Sequence, residues 1–198
     1  MEQHSDYTGA KYGMWFFLFT EILFFGGMFL FYSVFRERFP DGFHAAAREE
    51  NLLLGSINTA VLLTSSLFIA LSISAIKKGS SRLSYTLQAA TVALGIVFLI
   101  IKYFEWSEKI GRGIYPSSPL LLKLGKGEIL FFNLYYVMTG IHALHVFIGI
   151  VVISVMVFFT VRGSIHMRSF TKLENTGLYW HLVDIIWIYL FPLFYLVT

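Results

Sequence analysis

The sequence predicts an all-α integral membrane bundle of five transmembrane helices. Of its 198 residues, 57% are hydrophobic and 14% are charged, a balance that soluble domains do not show. Five apolar stretches lie near or above the roughly 20 residues that cross a hydrocarbon core. Because backbone groups in lipid must be paired internally and no alternation of period two is present, we expect helices rather than barrel strands. The predicted spans are residues 12–35, 52–76, 85–104, 129–161 and 175–197.

The chain is expected to form one domain, because no linker, repeat or low-complexity segment divides residues 1–198. The longest connections, residues 36–51 and 102–128, are predicted to be surface loops, and glycines and prolines make the second rich in turns. Five spans place the two termini on opposite sides of the membrane. Basic residues divide almost equally between the sides, but those on the N-terminal side lie in short loops, which favours a cytoplasmic N-terminus.

Composition excludes several classes of function. The sequence contains no cysteine, which excludes disulfides, thiolate metal sites, iron–sulfur clusters and thioether-attached haem. The net charge of +3 comes from basic residues in the predicted interhelical loops. Membrane topology and anionic headgroups explain that charge, so nucleic-acid binding is not expected.

Glu21 lies near the middle of the first span and is the leading candidate site. An ionisable group at this depth costs several kcal/mol unless it is paired. Its aromatic neighbours favour a neutral carboxyl that holds a proton. Two interpretations stay open: proton storage or relay, and a protonated carboxyl that hydrogen-bonds to a neighbouring helix for packing.

Two further constellations combine histidine with another polar residue inside the spans. His142 and His145 share one helical face and could ligate a metal or haem, but no Glu-x-x-His motif accompanies them, so polar bonding between helices is favoured. His181 and Asp184 share another face, where a hydrogen-bonded structural pair is favoured over a relay.

Two carboxylates stand at predicted membrane boundaries. Glu105 lies next to Trp106 near the end of the third span, and Glu174 precedes the last span. Spacing alone favours a solvated helix end for both.

Five segments, in order along nearly the whole chain, resemble subunit III of the haem-copper terminal oxidases. The first looks like the glutamate-bearing helix of that family, the fourth like its twin-histidine helix, and the fifth, preceded by Glu174, like its final helix. The segments are Phe19–Phe25, Ile57–Leu63, Lys102–Trp106, Thr139–Gly149 and Tyr179–Trp187.

The resemblance implies a non-catalytic subunit that stabilises the catalytic subunit of an aerobic respiratory oxidase and supports its proton uptake. It implies direct contact with subunit I, association with subunit II and phospholipids, haem and copper on partner subunits only, and a bacterial plasma membrane location. The longer members have seven helices, and the first span here corresponds to their third. Glu21 matches the family's carbodiimide-reactive glutamate and is expected to act in proton handling or lipid-linked stability. The residues expected to give buried polar support are His142, His145, His181, Asp184 and Glu105.

Cytochrome c is the expected electron donor. A quinol oxidase or an accessory protein of nitric oxide reductase would use the same bundle, because donor sites lie on other subunits. A protein of a different class, a stand-alone proton or solute carrier, would use Glu21 and the three intramembrane histidines as its polar path.

Overall fold

The computed structural model describes residues 2–167 and 169–196, with side chains from residue 8 onward. Within these residues the chain forms six α-helices and one short 3₁₀ turn at Leu121–Lys123, and no named β-strand. The helices are α1 (Glu2–Arg38), α2 (Pro40–Ala47), α3 (Leu52–Lys77), α4 (Ser81–Gly111), α5 (Lys126–Val161) and α6 (Thr171–Tyr195).

Five of these helices, all except α2, are long and apolar enough to cross a membrane. The predicted all-α class with five transmembrane helices is therefore confirmed. The helices run further than the apolar stretches that predicted them, because a helix continues through polar residues until its backbone bonding is interrupted. The connection predicted as a loop over residues 36–51 contains α2, and the first ten residues assigned to the other connection belong to α4.

Three helices end in the same way. α3, α4 and α5 are each followed, one residue later, by a glycine with positive φ, at Gly79, Gly113 and Gly163. At each end the next amide donates back to a carbonyl five residues earlier, as Ser80 N does to Ala75 O at 2.9 Å. This Schellman geometry pairs carbonyls that would otherwise be orphaned and stops the helix where a left-handed residue is tolerated.

α3, α4, α5 and α6 form a four-helix core in which each helix packs on two others. Trp180 of α6 is its central side chain and is 1% exposed. Its indole lies in a slot that Gly95 of α4 and Gly149 of α5 leave open, and a Cβ on either glycine would stand within 2.9 Å of the ring. Trp180 Nε1 also donates to Ser65 Oγ of α3 at 3.0 Å. One aromatic residue thus holds all four helices in register.

α1 packs against the outside of this core, on α5 and α6. Its buried side chains are Leu18, Phe25 and Tyr32, which repeat every seven residues. A single stripe of this kind is a narrow seam and leaves most of the helix surface uncovered. The large residues on the uncovered surface include Phe16, 72% exposed, and Phe31, 65% exposed. Glu21 lies between Leu18 and Phe25 along the seam, so α1 presents it to α5.

Candidate functional site

Glu21 and His145 meet where α1 crosses α5. Glu21 Oε2 lies 3.1 Å from His145 Nε2, and the two side chains are 18% and 16% exposed. The Phe25 ring packs edge-on against the imidazole, with ring centroids 5.3 Å apart. On the α6 side, the Tyr179 hydroxyl donates to the carbonyl of His145 at 3.1 Å. The structure therefore gives the intramembrane carboxyl a partner on another helix.

The hydrogen bonds of His145 determine how many protons the pair holds. His145 Nδ1 lies 2.8 Å from the carbonyl oxygen of Ile141. A carbonyl only accepts, so Nδ1 carries a hydrogen. The bond between Nε2 and Glu21 then needs one further proton, located on the carboxyl or on the imidazole. In either arrangement the pair holds one shared proton and carries no net charge, which is the form that lipid penalises least.

His142, one turn before His145, faces a different environment. Its ring stacks on Trp187 at 5.3 Å between centroids and meets the edge of Phe98 at 5.6 Å. The side chain is completely buried, and neither ring nitrogen has a hydrogen-bond partner among the described residues. The two histidines that sequence placed on one face are thus separated, one at the α1 seam and one inside the core.

His142 and His145 do not converge on one position that a metal or haem could occupy. His145 uses both nitrogens in hydrogen bonds, and His142 is enclosed by aromatic rings. In the part of the chain that the structure describes, no group of three or more His, Cys, Asp or Glu side chains is placed to hold a metal ion.

A buried ion pair in α4 is the most polar feature of the core. Lys102 Nζ donates to Glu105 Oε2 at 3.1 Å, and the two side chains are 2% and 3% exposed. The hydroxyls of Tyr135 and Tyr195 donate to Glu105 Oε1 at 2.6 and 2.5 Å, and Lys102 also donates to Tyr195 at 2.6 Å. We call these four residues the tyrosine-bound ion pair. They join α4 to α5 and α6, so Glu105 is buried and is not the solvated helix end that its spacing alone favoured; the resemblance had implied buried polar support at this position.

A second ion pair lies one turn further along α4, at the end of the bundle opposite the N-terminus. Lys109 Nζ lies 2.9 Å from Glu50 Oε1, and neither side chain is appreciably exposed. Glu50 belongs to the short segment between α2 and α3, outside the spans. Burial raises the pKa of Glu50 to about 7, although the adjacent Lys109 ammonium opposes the shift. Sequence reasoning missed Glu50, Lys102 and Lys109, because their charges suggested loop residues.

A cavity of about 220 Å³ joins these groups to the aqueous phase, and we call it the polar inlet. Its mouth is lined by Glu49, Glu108 and Arg112, whose side chains are about half exposed. Its deeper wall is formed by Glu105 and Lys109, which are buried. The sequence carried one signal that could have predicted these buried charges. Lys102, Glu105 and Lys109 are spaced at i, i+3 and i+7, which places three charges on one helical face.

The polar residues at the other end of α6 do not pair as predicted. His181 Nδ1 lies 2.6 Å from Ser66 Oγ of α3, and no bond joins His181 to Asp184 among the described side chains. Asp184 is 5% exposed, and its Oδ1 has no partner there. Glu174 contacts Lys77 at 2.6 Å, so it ties α6 to α3 rather than forming a solvated helix end.

Comparisons with known proteins agree with this architecture. The family model of cytochrome c oxidase subunit III matches residues 3–198. The chain is 36% identical to cytochrome c oxidase subunit 3 of Thermostichus vulcanus, over 99% of this chain and 90% of that protein. It is 32% identical to the protein of the same name from Synechocystis sp., over 98% and 78% of the two chains.

A third relative contains a similar sequence within a larger polypeptide. The chain is 30% identical to the heme-copper oxidase subunit I+III of Aeropyrum pernix, over 93% of this chain and 22% of that protein. The family match over nearly the whole chain confirms the resemblance found from the motifs. The chain therefore belongs to the cytochrome c oxidase subunit III family.

Proposed function

We propose that this chain is a non-catalytic subunit of a proton-translocating cytochrome c oxidase, where it stabilises the oxygen-reducing subunit during turnover and supports its proton uptake. The observation that carries the proposal is the hydrogen bond between Glu21 and His145. This bond lies at the surface of the four-helix core, on a helix attached by a narrow seam, and it supports a role for Glu21 in holding an exchangeable proton. A neighbouring subunit or lipid that covers α1 would therefore change how strongly this proton is held.

Subunit I is the proposed direct partner, with subunit II in the same complex. The Aeropyrum pernix relative supports this, because its name joins subunits I and III in one polypeptide. The uncovered surface of α1 supplies the apolar area that a neighbouring subunit or phospholipid acyl chains would cover. Haem and copper are expected on the partner subunits, and the chemistry of oxygen reduction takes place there.

The proposed location is a bacterial plasma membrane, with the N-terminus in the cytoplasm. In this orientation the polar inlet lies on the outer side, and the cluster of Lys77 and Glu174 lies on the cytoplasmic side. Positive charge next to the cytoplasmic ends of spans is the pattern that sets orientation. A protease site placed after residue 113 should be cleaved from the outside in intact cells; cleavage only in inverted vesicles would reverse the assignment.

The role is tested with the purified oxidase, with and without this chain. We expect the depleted complex to start at the wild-type rate of oxygen consumption and to lose activity over successive turnovers. Glu21→Gln should assemble normally but lose labelling by a hydrophobic carbodiimide. Thr20→Val is the matched control, because Thr20 bonds only the carbonyl of Phe17 in its own helix. A depleted complex that pumps protons and survives turnover as the complete one does would refute the proposal.

Cytochrome c is the proposed electron donor, in keeping with the names of the two relatives above. The purified complex should oxidise reduced cytochrome c and should not oxidise a quinol. The opposite preference would place the chain in a quinol oxidase, with its bundle and its partner subunit unchanged.

A further inference from the structure

Asn58 of α3 and His142 of α5 are the least satisfied polar side chains of the core. Both are completely buried, and their four side-chain nitrogen and oxygen atoms have no hydrogen-bond partner in the described part of the chain. Each group of this kind costs about 1–3 kcal/mol when it is left unpaired. Buried polar groups in native proteins are nearly always bonded to protein or to ordered water, so these two side chains point to a bound species.

The two residues lie at the same level of the bundle. α3 and α4 are antiparallel neighbours, and Thr91 Oγ1 of α4 donates to Ser65 O of α3 at 3.4 Å. Two turns back along α3 is Asn58, and two turns forward along α4 is Phe98. Seven residues keep the same helical face, so Asn58 faces the region of Phe98. The Phe98 ring in turn contacts His142.

Charged groups adjoin this level on one side. Lys102 follows Phe98 by one turn on α4, and its Nζ lies 4.8 Å from the centroid of the Trp187 ring. The His142 ring stacks on the same indole at 5.3 Å. Lys102 of the tyrosine-bound ion pair and His142 therefore contact the same Trp187 ring. Beyond the ion pair, Glu105 lines the polar inlet.

The proton-holding pair adjoins the same level on the other side. His145 follows His142 by one turn on α5, and residues three apart on a helix are neighbours about 5–6 Å apart. His145 Nε2 bonds Glu21. The order from the aqueous phase is thus polar inlet, tyrosine-bound ion pair, the level of Asn58 and His142, and the Glu21–His145 pair.

We propose that Asn58 and His142 bind internal water, and that this hydration site lets the Glu21–His145 pair exchange its proton with the polar inlet. The exchange part rests on the proposed role of the pair as a proton holder. In the proposed orientation it connects the pair with the outer side, so it is separate from the proton uptake of the oxidase. A water with two to four polar partners is stable inside a protein. Asn58 and His142 orient the water molecules, and each water accepts a proton on one side as it releases one on the other, so one proton enters the pair for each that leaves.

The hydration site is tested directly by a density map of the purified oxidase complex at a resolution that shows water. We expect at least one peak within hydrogen-bond distance of both the Asn58 amide and the His142 ring. In His142→Phe this peak should be lost while the helices keep their positions. A wild-type map that shows Asn58 bonded directly to His142, or both without any peak, would overturn the proposal. This result does not depend on the role of Glu21.

The exchange route is tested by infrared spectroscopy of the complex after transfer to D₂O. The band of the shared proton, which is a Glu21 carboxyl band or a His145 imidazolium band, is identified by its loss in Glu21→Gln. We expect Asn58→Leu and His142→Phe each to slow its deuterium shift at least tenfold, and His142→Gln, which keeps a hydrogen-bonding side chain, to restore much of the rate. Thr139→Val is the matched control, because this buried Thr bonds the carbonyl of Tyr135 on its own helix. Equal exchange rates in wild type, Asn58→Leu and His142→Phe would overturn the route even if Glu21 serves the proposed function.

Discussion

Removing the ammonium of Lys102 should destabilise the bundle more than any other single lysine change in the transmembrane core. The side chain is 2% exposed, and its Nζ donates to Glu105, Tyr195 and Tyr135 at 3.1, 2.6 and 3.4 Å. Lys102→Met leaves Glu105 with two tyrosine donors and no counter-charge. Breaking a buried ion pair in this way costs about 3–5 kcal/mol, because a charge stays buried and uncompensated.

The double variant Lys102→Met/Glu105→Leu separates this explanation from simple loss of packing. Both charges are then absent. The Tyr135 and Tyr195 hydroxyls are close enough to bond to each other, so one of them is left without an acceptor, at about 1–3 kcal/mol. The double variant should therefore be more stable than Lys102→Met alone, by about 2 kcal/mol. If the two sites were independent, the two losses of stability would add, and the double variant would be less stable than either single variant.

The assay is reversible unfolding of the chain in mixed detergent micelles, followed by circular dichroism and tryptophan fluorescence. Lys77→Met is the matched control, because Lys77 pairs with Glu174 at 2.6 Å but its side chain is 47% exposed. Exposed pairs contribute about 1 kcal/mol or less. The reasoning is refuted if Lys102→Met costs no more than Lys77→Met, or if the losses of Lys102→Met and Glu105→Leu add in the double variant.

Variants at three further sites test other contacts by the same assay. Glu21→Gln should stay within about 0.5 kcal/mol of wild type, because its amide donates to His145 Nε2, whereas Glu21→Leu should lose about 1 kcal/mol; equal losses would indicate a carboxylate paired with an imidazolium. Burial raises the pKa of Glu50 to about 7, so the folded state binds the extra proton, and stability should fall by up to about 3 kcal/mol as pH rises from about 4.5 to about 7. Glu50→Gln should flatten that slope, and an unchanged slope would assign it to another group. Gly149→Ala should cost about 1–3 kcal/mol, because its Cβ would meet the Trp180 ring at 2.7 Å and the enclosed ring has no room to shift. Gly177→Ala should cost less, because its Cβ meets only the terminal Cδ1 of Ile73, and equal losses would contradict this account.

The apolar stretches predicted the spans because hydropathy reports directly on the solvent that each helix faces. The same signal placed the end of the third span at residue 104, yet α4 continues to Gly111. The last turns of α4 carry Glu105 and Lys109, which look like solvated residues in sequence. They are buried because α5, α6 and Glu50 supply partners, and partners from distant segments leave no mark on local composition.

Glu21 shows the same division within the candidate site. Its depth in the first span predicted that something must pair with it, and the twin histidines were recognised as polar groups in a span. Nothing in the spacing of His142 and His145 distinguishes the one that reaches Glu21 from the one enclosed by Phe98 and Trp187. That distinction depends on the rotation of α5 about its axis, which is set by packing against α1, α2, α4 and α6.

The sequence by itself determined that this protein lies in a membrane, how many spans it has, its family and the need to shelter one intramembrane acid. These follow from transfer free energies and motifs, which are properties of single segments. Tertiary structure alone decided that His145 shares the proton of Glu21, that Lys102 and Glu105 neutralise each other inside the core, and that His181 bonds Ser66 rather than Asp184. Those choices belong to pairs of helices, because a hydrogen bond forms only where packing brings a donor within about 3 Å of an acceptor.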